Sequence, residues 1–342
     1  MRVLVTGGAG RIGRIVVAHL RDSGWDVTSI DIADDPQIAG IEHSACDITR
    51  FDDVFGHMRG CGAVVHLAAL PSPYSGYGHE LYRINTVGTF NVFEAAAQSG
   101  VQRVVQASSI NAVGAFWSVV DIRPQYFPID EDHPPFTTDP YSFAKQQAEA
   151  IGAYFWRRDG LRSVALRLPG VYQPDYTQST NYWHRRTAAW RTLDSLRAMP
   201  VTECRSRIDA AVQRSIEFRR GRRMEYPEQP TAPTDSDSLD DSVLRAVHYD
   251  RFNFWASMDV RDAALAVECA LRAEFDGSHT LFVNDSHNYW GYDSHALVEM
   301  FFPDVTTWKR AVPGSEALVS IDRARALIGF EPQYSLAGSK TP

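Results

Sequence analysis

The chain has 342 residues, enough for one large domain or two unequal ones sharing a core. Hydrophobic residues make up 44% and charged residues 22%, the make-up of an ordinary soluble globular protein. With 34 basic against 42 acidic residues the net charge is -8, which argues against nucleic-acid and acidic-membrane partners, and no apolar run nears the roughly 20 residues of a membrane span.

Strand-like character begins at Arg2, which leaves no room for a signal peptide. Cys46, Cys61, Cys204 and Cys269 show neither metal-ligand nor CxxC spacing. They read as reduced thiols of a cytoplasmic protein, and no metal is expected.

In chain order, Arg2–Thr6 predicts a strand and Gly10–Leu20 a helix, with Ile12, Ile15, Val16 and Leu20 at helical spacing. Strands follow at Val27–Asp31 and Ile41–Cys46, then a short helix at Phe51–Met58 and an apolar strand at Ala63–Ala68. A long helix is expected over Glu80–Ala97 and a strand over Val101–Ala107. A helix over Tyr141–Phe155 and a strand over Ser163–Leu168 complete the alternation. Strands that alternate with helices and are continuously apolar imply a parallel sheet covered on both faces. The fold class is therefore α/β, a doubly wound Rossmann domain over 1–172 with a returning segment near 252–283.

After Tyr172 the pattern changes. Gln173–Asn181 reads as a connecting loop, followed by helices at His184–Ala198 and Arg205–Arg219. This stretch, 181–224, carries eleven arginines against four acids and reads as a mainly solvated helical insertion. Residues 227–241 (PEQPTAPTDSDSLDD) read as a mobile loop. A helix is expected at Val260–Leu271, a strand at Leu281–Val283 and a last helix at Ile321–Ile328. Residues 173–342 thus read as a smaller, mainly helical cap.

The first chemical signal is TGGAGRIG, which places Gly7, Gly10 and Gly13 directly after a strand and at the start of a helix. Glycines there permit a tight turn and close approach of backbone amides to a pyrophosphate, with the helix N-terminus adding partial positive charge. Asp31 ends the next strand, where a carboxylate accepts ribose hydroxyl protons and repels a 2′-phosphate. With Asp34 and Asp35 nearby it favours NAD over NADP. Arg11 and Arg14 are the counter-argument, since either can meet a 2′-phosphate.

The second signal is YSFAK. Tyr141 and Lys145 stand four apart, on one helix face. A free tyrosine is a poor base at neutral pH, and a neighbouring ammonium is expected to bring its pKa toward the working range. Only Lys145, Lys309 and Lys340 are lysines among the 34 basic residues, so a lysine kept at 145 suggests chemistry that arginine's broad fork cannot supply. Ser109 lies at the end of a strand, where doubly wound sheets place their ligands.

These pieces resemble an extended short-chain dehydrogenase/reductase of the NAD-dependent epimerase/dehydratase type. The matching segments are TGGAGRIG, Asp47-Ile48, HLAAL at 66–70, Asn85–Thr89, SSINAVG at 108–114, YSFAK and LRLPGVYQP at 166–174. The resemblance covers the first 174 residues in order, continues weakly at 258–264 and 319–332, and fails over 175–250. It implies that Tyr141 is the catalytic acid/base, Lys145 the phenolate stabiliser and ribose ligand, and Ser109 the hydrogen-bond partner of the reacting oxygen. It further implies cofactor contacts at Gly7, Gly10, Arg11, Ile12 and Gly13, at Asp47 and Ile48 for adenine, and at Ala68, Pro169, Gly170 and Val171. Asn85 is expected to be a brace, and His66, in an apolar strand, a satisfied core histidine. A homodimer joined through the helices containing Val87–Ala97 and Tyr141–Phe155 is also implied.

A dehydratase of this type needs an acidic pair after the catalytic serine, but Ile110 and Asn111 stand there. The expected function is therefore NAD-dependent oxidation or reduction of a secondary alcohol or ketone in a sugar-like substrate. A sugar or nucleotide-sugar epimerase that retains its NAD is the alternative, and a non-catalytic dinucleotide-binding protein is more distant. Relatives that hold a sugar diphosphate use arginines where this chain has Trp255 and Ala311 or Val312. That favours a substrate without a diphosphate. Asn111, Arg185 and Arg186 are the candidate substrate residues, with His184 beside them, and those basic residues, where they turn inward, are expected to hold a carboxylate or phosphate by charge-assisted hydrogen bonds.

Overall fold

The computed structural model describes residues 1–34, 40–176, 178–221 and 238–337. Alternating strands and helices build the first half: β1 (Arg2–Thr6), α1 (Arg11–Asp22), β2 (Asp26–Asp31), β3 (Glu42–Ala45), α2 (Phe51–His57) and β4 (Ala63–His66). Then come α3 (Gly78–Gln98), β5 (Arg103–Ser109), α4 (Pro140–Asp159) and β6 (Arg162–Leu168). With β9 (Ser278–Phe282) they form a seven-stranded sheet of order β3-β2-β1-β4-β5-β6-β9, parallel at every pairing. Parallel strands are covered on both faces, and here α3 packs on α4 on one side. On the other, α1 packs on α8 (Val260–Arg272). The expected strand Leu281–Val283 therefore lies three residues too late at its start, because Ser163 to Arg167 pair with Ser278 to Phe282.

Two short strands, β7 (Gly170–Tyr172) and β8 (Ser257–Asp259), pair in parallel beside the main sheet. Strands of three residues carry too little pattern to be seen in sequence. Around them lie α5 (Thr180–Ala198), α6 (Val201–Arg220), α7 (Leu239–Arg245), α9 (Ser294–Phe301) and α10 (Asp322–Ile328). Helix α5 starts earlier than expected because the Ser179 hydroxyl accepts the Tyr182 amide as an N-cap, which converts the end of the predicted loop into a first turn. Helix α6 starts at Val201, directly after Pro200. Of the predicted mobile loop 227–241, residues 227–237 lie outside the described residues. Leu239–Asp241 are helical, with Ser238 capping the Asp241 amide.

Four apolar cores result among the described residues, the smallest packing Leu81, Trp117, Tyr141 and Ala144 together. Of the others, one joins the sheet to α1, α8 and α10, a second joins it to α2, α3 and α4, and the third fills the cap between α5, α6, α7 and α9. The arginine-rich insertion does not remain wholly in solvent: Arg219 is fully buried and Arg186 is 8% exposed.

Candidate active site

The turn after β1 is closed by contacts that only glycine allows. Gly7 has φ +75°, and a Cβ there would lie 2.5 Å from the Ala68 amide nitrogen. A Cβ on Gly13 would lie 2.0 Å from the Gly7 carbonyl oxygen. Helix α1 starts with no acidic residue in its first turn and no side-chain N-cap, so its first amides remain available to an anion. The Asp31 carboxylate accepts from the Ala9 amide at 3.0 Å and the Ala33 amide at 3.2 Å, which fixes it beside this turn. Arg11 donates to the Val171 carbonyl at 3.0 Å and Arg14 to the Ala9 carbonyl at 2.7 Å. A cradle that excludes Cβ atoms, an open helix N-terminus and a fixed carboxylate fit a dinucleotide, its pyrophosphate on the turn and a ribose toward Asp31. Asp35 lies outside the described residues.

Helix α4 is positioned by Asp139, whose carboxylate accepts the Ser142 amide at 2.8 Å, with Pro140 in the first turn and Gly160 left-handed at the other end. This presents Tyr141 and Lys145, each 6% exposed, to the end of β5. Lys145 Nζ donates to the Ala107 carbonyl at 2.7 Å. Burial pushes Tyr141 up to about 12, partly offset by a hydrogen bond with Ser109. Burial lowers Lys145 to about 8, against the pull of Glu149. Loss of water around the phenolate is the main cause of the rise at Tyr141 and Asp139 adds to it, while Lys145 is not among its causes. Ser109 Oγ also accepts the Asn111 amide at 3.1 Å.

A cavity of about 900 Å³ brings these parts together. Gly7, Gly10, Arg11, Ile12 and Gly13 line it together with Ser109, Tyr141 and Lys145 and with Pro169, Gly170 and Val171. Asn111 and Arg185 line it as well. Asp31, Asp47, Ile48 and Ala68 do not border it. Asp31 ends β2, and Asp47 and Ile48 follow β3, while the cavity spans the ends of β1, β4, β5 and β6. The Asp47 carboxylate accepts from the Thr49 amide and hydroxyl, both at 2.9 Å, Ile48 is buried, and Ala68 lies under Gly7.

Arg186 and His184 do not line the cavity. Arg186 instead lies over the Trp183 ring, 5.4 Å from its centroid. Adjacent helix residues point about 100° apart, so Arg186 is buried beside Trp183 while Arg185 is exposed and lines the cavity. His66 is paired with the Thr6 and Thr89 hydroxyls at 2.7 and 3.0 Å, and burial lowers its pKa to about 3, so it is a neutral core group. Asn85 holds both backbone groups of Leu70, at 2.8 and 3.0 Å.

Part of the cavity was not foreseen. Phe116, Trp117, Tyr172, Tyr249, Tyr289 and Trp290 wall it, with Asp250, Arg245 and Asn253 among them. Aromatic density in AFW at 115–117 and NYWGY at 288–292 was the available signal. Nothing set Asp250 apart among 42 acids. Among the described residues no His, Cys, Asp and Glu cluster suits a metal, and no helix is long and apolar enough to cross a membrane.

A doubly wound sheet with a glycine cradle and a Ser-Tyr-Lys set at its strand ends defines a dinucleotide-dependent enzyme of the short-chain dehydrogenase/reductase class. The NAD-dependent epimerase/dehydratase family model matches residues 3–204, and the chain belongs to that family. L-arabinose 1-dehydrogenase (NAD(P)(+)) of Haloferax volcanii is 33% identical over 180 residues, 51% of this chain and 68% of that one. Uronate dehydrogenase of Pseudomonas syringae pv. tomato is 26% identical over 199 residues, 57% of this chain and 66% of that one. The solved structure of MoeE5 in complex with UDP-glucuronic acid and NAD shares the fold, with a TM-score of 0.61 at 23% identity over 98% of this chain and 95% of that one. The protein is an NAD-dependent enzyme whose relatives are sugar dehydrogenases and epimerases.

Proposed function

We propose that the protein is a dehydrogenase that oxidises a secondary alcohol of a sugar-like substrate, or reduces the corresponding ketone. The observation that carries this reading is that Ser109, Tyr141 and Lys145 line the same cavity as the glycine cradle. Bound NAD supplies the hydride acceptor or donor. Tyr141 Oη takes the alcohol proton in oxidation and returns it in reduction. The neutral phenol favoured by burial is the proton donor of the reductive direction. In the other direction the Ser109 hydroxyl and the Lys145 ammonium, on the same wall, support the negative oxygen. Gly7, Gly10, Arg11, Ile12 and Gly13 hold the pyrophosphate side, Asp31 the ribose, Asp47, Ile48 and Ala68 the adenine side, and Pro169 and Val171 the nicotinamide. Asn111 and Arg185 face the substrate.

Trp255 and Val312 are buried in the cap core, at 1% and 0% exposure, which supports a substrate without a diphosphate. The runner-up is an epimerase that keeps its NAD. A homodimer through α3 and α4 is supported by the exposed apolar groups Val87, Phe90, Phe143 and Tyr154 on those helices. Free Cys46, Cys61 and Cys204, all buried thiols, support a reducing cytoplasmic setting. The domain division at 172/173 belongs to this reading, with 1–172 and the returning 252–283 serving the nucleotide and the rest the substrate.

The deciding experiment assays purified protein for retained NAD and for reduction of added NAD with free sugars, sugar acids and UDP-sugars. Reduction of added NAD by a free sugar or sugar acid is expected. Retained NAD with interconversion of epimers assigns the runner-up, and efficient turnover of a UDP-sugar overturns the argument from Trp255.

A further inference from the structure

Asp250 is the one acidic residue that lines the cavity among the described residues. It ends a π-helical turn, Ala246–Asp250, that runs into a 3-10 turn, Arg251–Asn253. Such turns recur at functional sites. Phe254 and Trp255 then take φ values of 53° and 51°, left-handed backbone that is costly for large side chains. The segment is held in this form by two backbone hydrogen bonds. The Trp255 amide donates to the Asp250 carbonyl at 3.0 Å, and the Tyr289 amide donates to the Trp255 carbonyl at 2.7 Å. Asp250 and the Tyr289-Trp290 pair are thereby fixed against each other.

The side chains repeat that link. Trp290 Nε1 donates to Asp250 Oδ2 at 2.9 Å, while Oδ1 has no hydrogen-bond partner among the described residues. Tyr172, Tyr249 and Tyr289 line the cavity with it, as do Arg185 and Arg245. Arg185 lies close enough to Asp250 to attract its ionised carboxylate. Its charge is therefore partly matched by the protein, which lowers its worth as an anion receptor. A carboxylate with one oxygen fixed and one open accepts a hydroxyl proton well and repels a second carboxylate or a phosphate. Flat aromatic walls suit the C–H faces of a ring that carries its hydroxyl groups at the edge.

We propose that Asp250 determines substrate specificity: Oδ1 accepts a hydrogen bond from a hydroxyl of an uncharged polyhydroxy substrate, and the carboxylate disfavours substrates that carry a carboxylate or phosphate at that end. The proposal rests on the dehydrogenase reading of the cavity.

The test measures NAD reduction at pH 9, where Asp250 is ionised, with L-arabinose, D-galactose, D-galacturonate and D-glucose 6-phosphate, for the wild type and Asp250→Asn, with NADH affinity as the check that the cleft is intact. The wild type is expected to favour a neutral sugar over both anions. Asp250→Asn, whose amide oxygen still accepts from Trp290, is expected to raise the neutral-sugar KM roughly tenfold or more, with kcat little changed and the preference over the anions reduced. A wild type that prefers an anion overturns the proposal without need of the variant. So does an Asp250→Asn enzyme with unchanged KM and preference. Turnover of none of the four by a wild type that binds NADH normally overturns the dehydrogenase reading, and the proposal with it.

Discussion

Glu149 accepts two hydrogen bonds from Arg167, at 2.9 and 2.8 Å, one helical turn beyond Lys145 on α4. The Ser108 hydroxyl donates to the same carboxylate at 2.5 Å. Both ionic partners are about nine-tenths buried, so the pair acts through little water. Its negative end is what keeps Lys145 from falling below about 8. Glu149→Gln leaves Arg167 and Lys145 to repel each other, and Lys145 then loses its proton at lower pH. The alkaline limb of the pH–rate profile is expected to move down by about one unit, with a loss of stability of about 3 kcal/mol from the stranded arginine. A pH profile together with a denaturant melt checks both. An alkaline limb that stays in place would show that Lys145 takes its charge from elsewhere.

On the proposed mechanism Tyr141 and Ser109 divide the proton work unequally. Tyr141→Phe removes the transferable proton and little else, so kcat/KM is expected to fall roughly a thousandfold with NADH binding retained. Ser109→Ala removes one hydrogen bond to developing charge and is expected to cost about a hundredfold. Single-turnover hydride transfer separates these losses from binding. Full activity in Tyr141→Phe would remove the mechanism.

Asp31 concerns the nucleotide. The Ala9 and Ala33 amides fix the carboxylate beside the glycine turn, and on the proposed reading it would meet a 2′-phosphate. Asp31→Ala is expected to weaken NAD about tenfold and to improve NADP relative to it. The ratio of kcat/KM for the two nucleotides reads this out, and a wild type that already prefers NADP would contradict it.

The nucleotide half was legible because its signals are local. A run such as RVVQASS or RSVALRL can only be a strand buried on both faces, and the glycine cradle and the Tyr141–Lys145 spacing are set within single turns. The cap was less legible because its decisive contacts are remote in sequence. Arg219 looked like one more solvated arginine of α6. It is fully buried, 4.0 Å over the Phe252 ring, and donates to the His248 carbonyl at 2.9 Å. It also reaches the Ala115 carbonyl at 3.5 Å, beside the cavity wall residues Phe116 and Trp117. An arginine that makes such contacts has the same letter as Arg205, whose partner Asp304 is on the surface. Arg186 is of the same kind, since only the facing of α5 makes it buried and leaves Arg185 exposed.

Asp250 should reveal itself through stability even where no substrate is at hand. Burial against Tyr172, Tyr249, Tyr289 and Trp290 raises its pKa to about 7, with Trp290 and Arg185 opposing the rise. A carboxyl whose folded pKa lies above its unfolded value holds its proton more tightly in the native state. The fold is therefore most favoured while Asp250 is protonated in both states, below about pH 4. Stability falls as the pH rises to about 7 and stays lowered above it. Asp250→Asn removes that cost, because its amide never ionises. The variant is expected to match the wild type near pH 4 and to exceed it at pH 8, by at most about 4 kcal/mol and less as water reaches Oδ1. Urea melts of both proteins at the two pH values measure the difference. A gain at pH 8 together with a higher KM would mark Asp250 as a residue kept for binding at the expense of stability. Equal stability at both pH values would show that the carboxylate is solvated well enough to ionise freely.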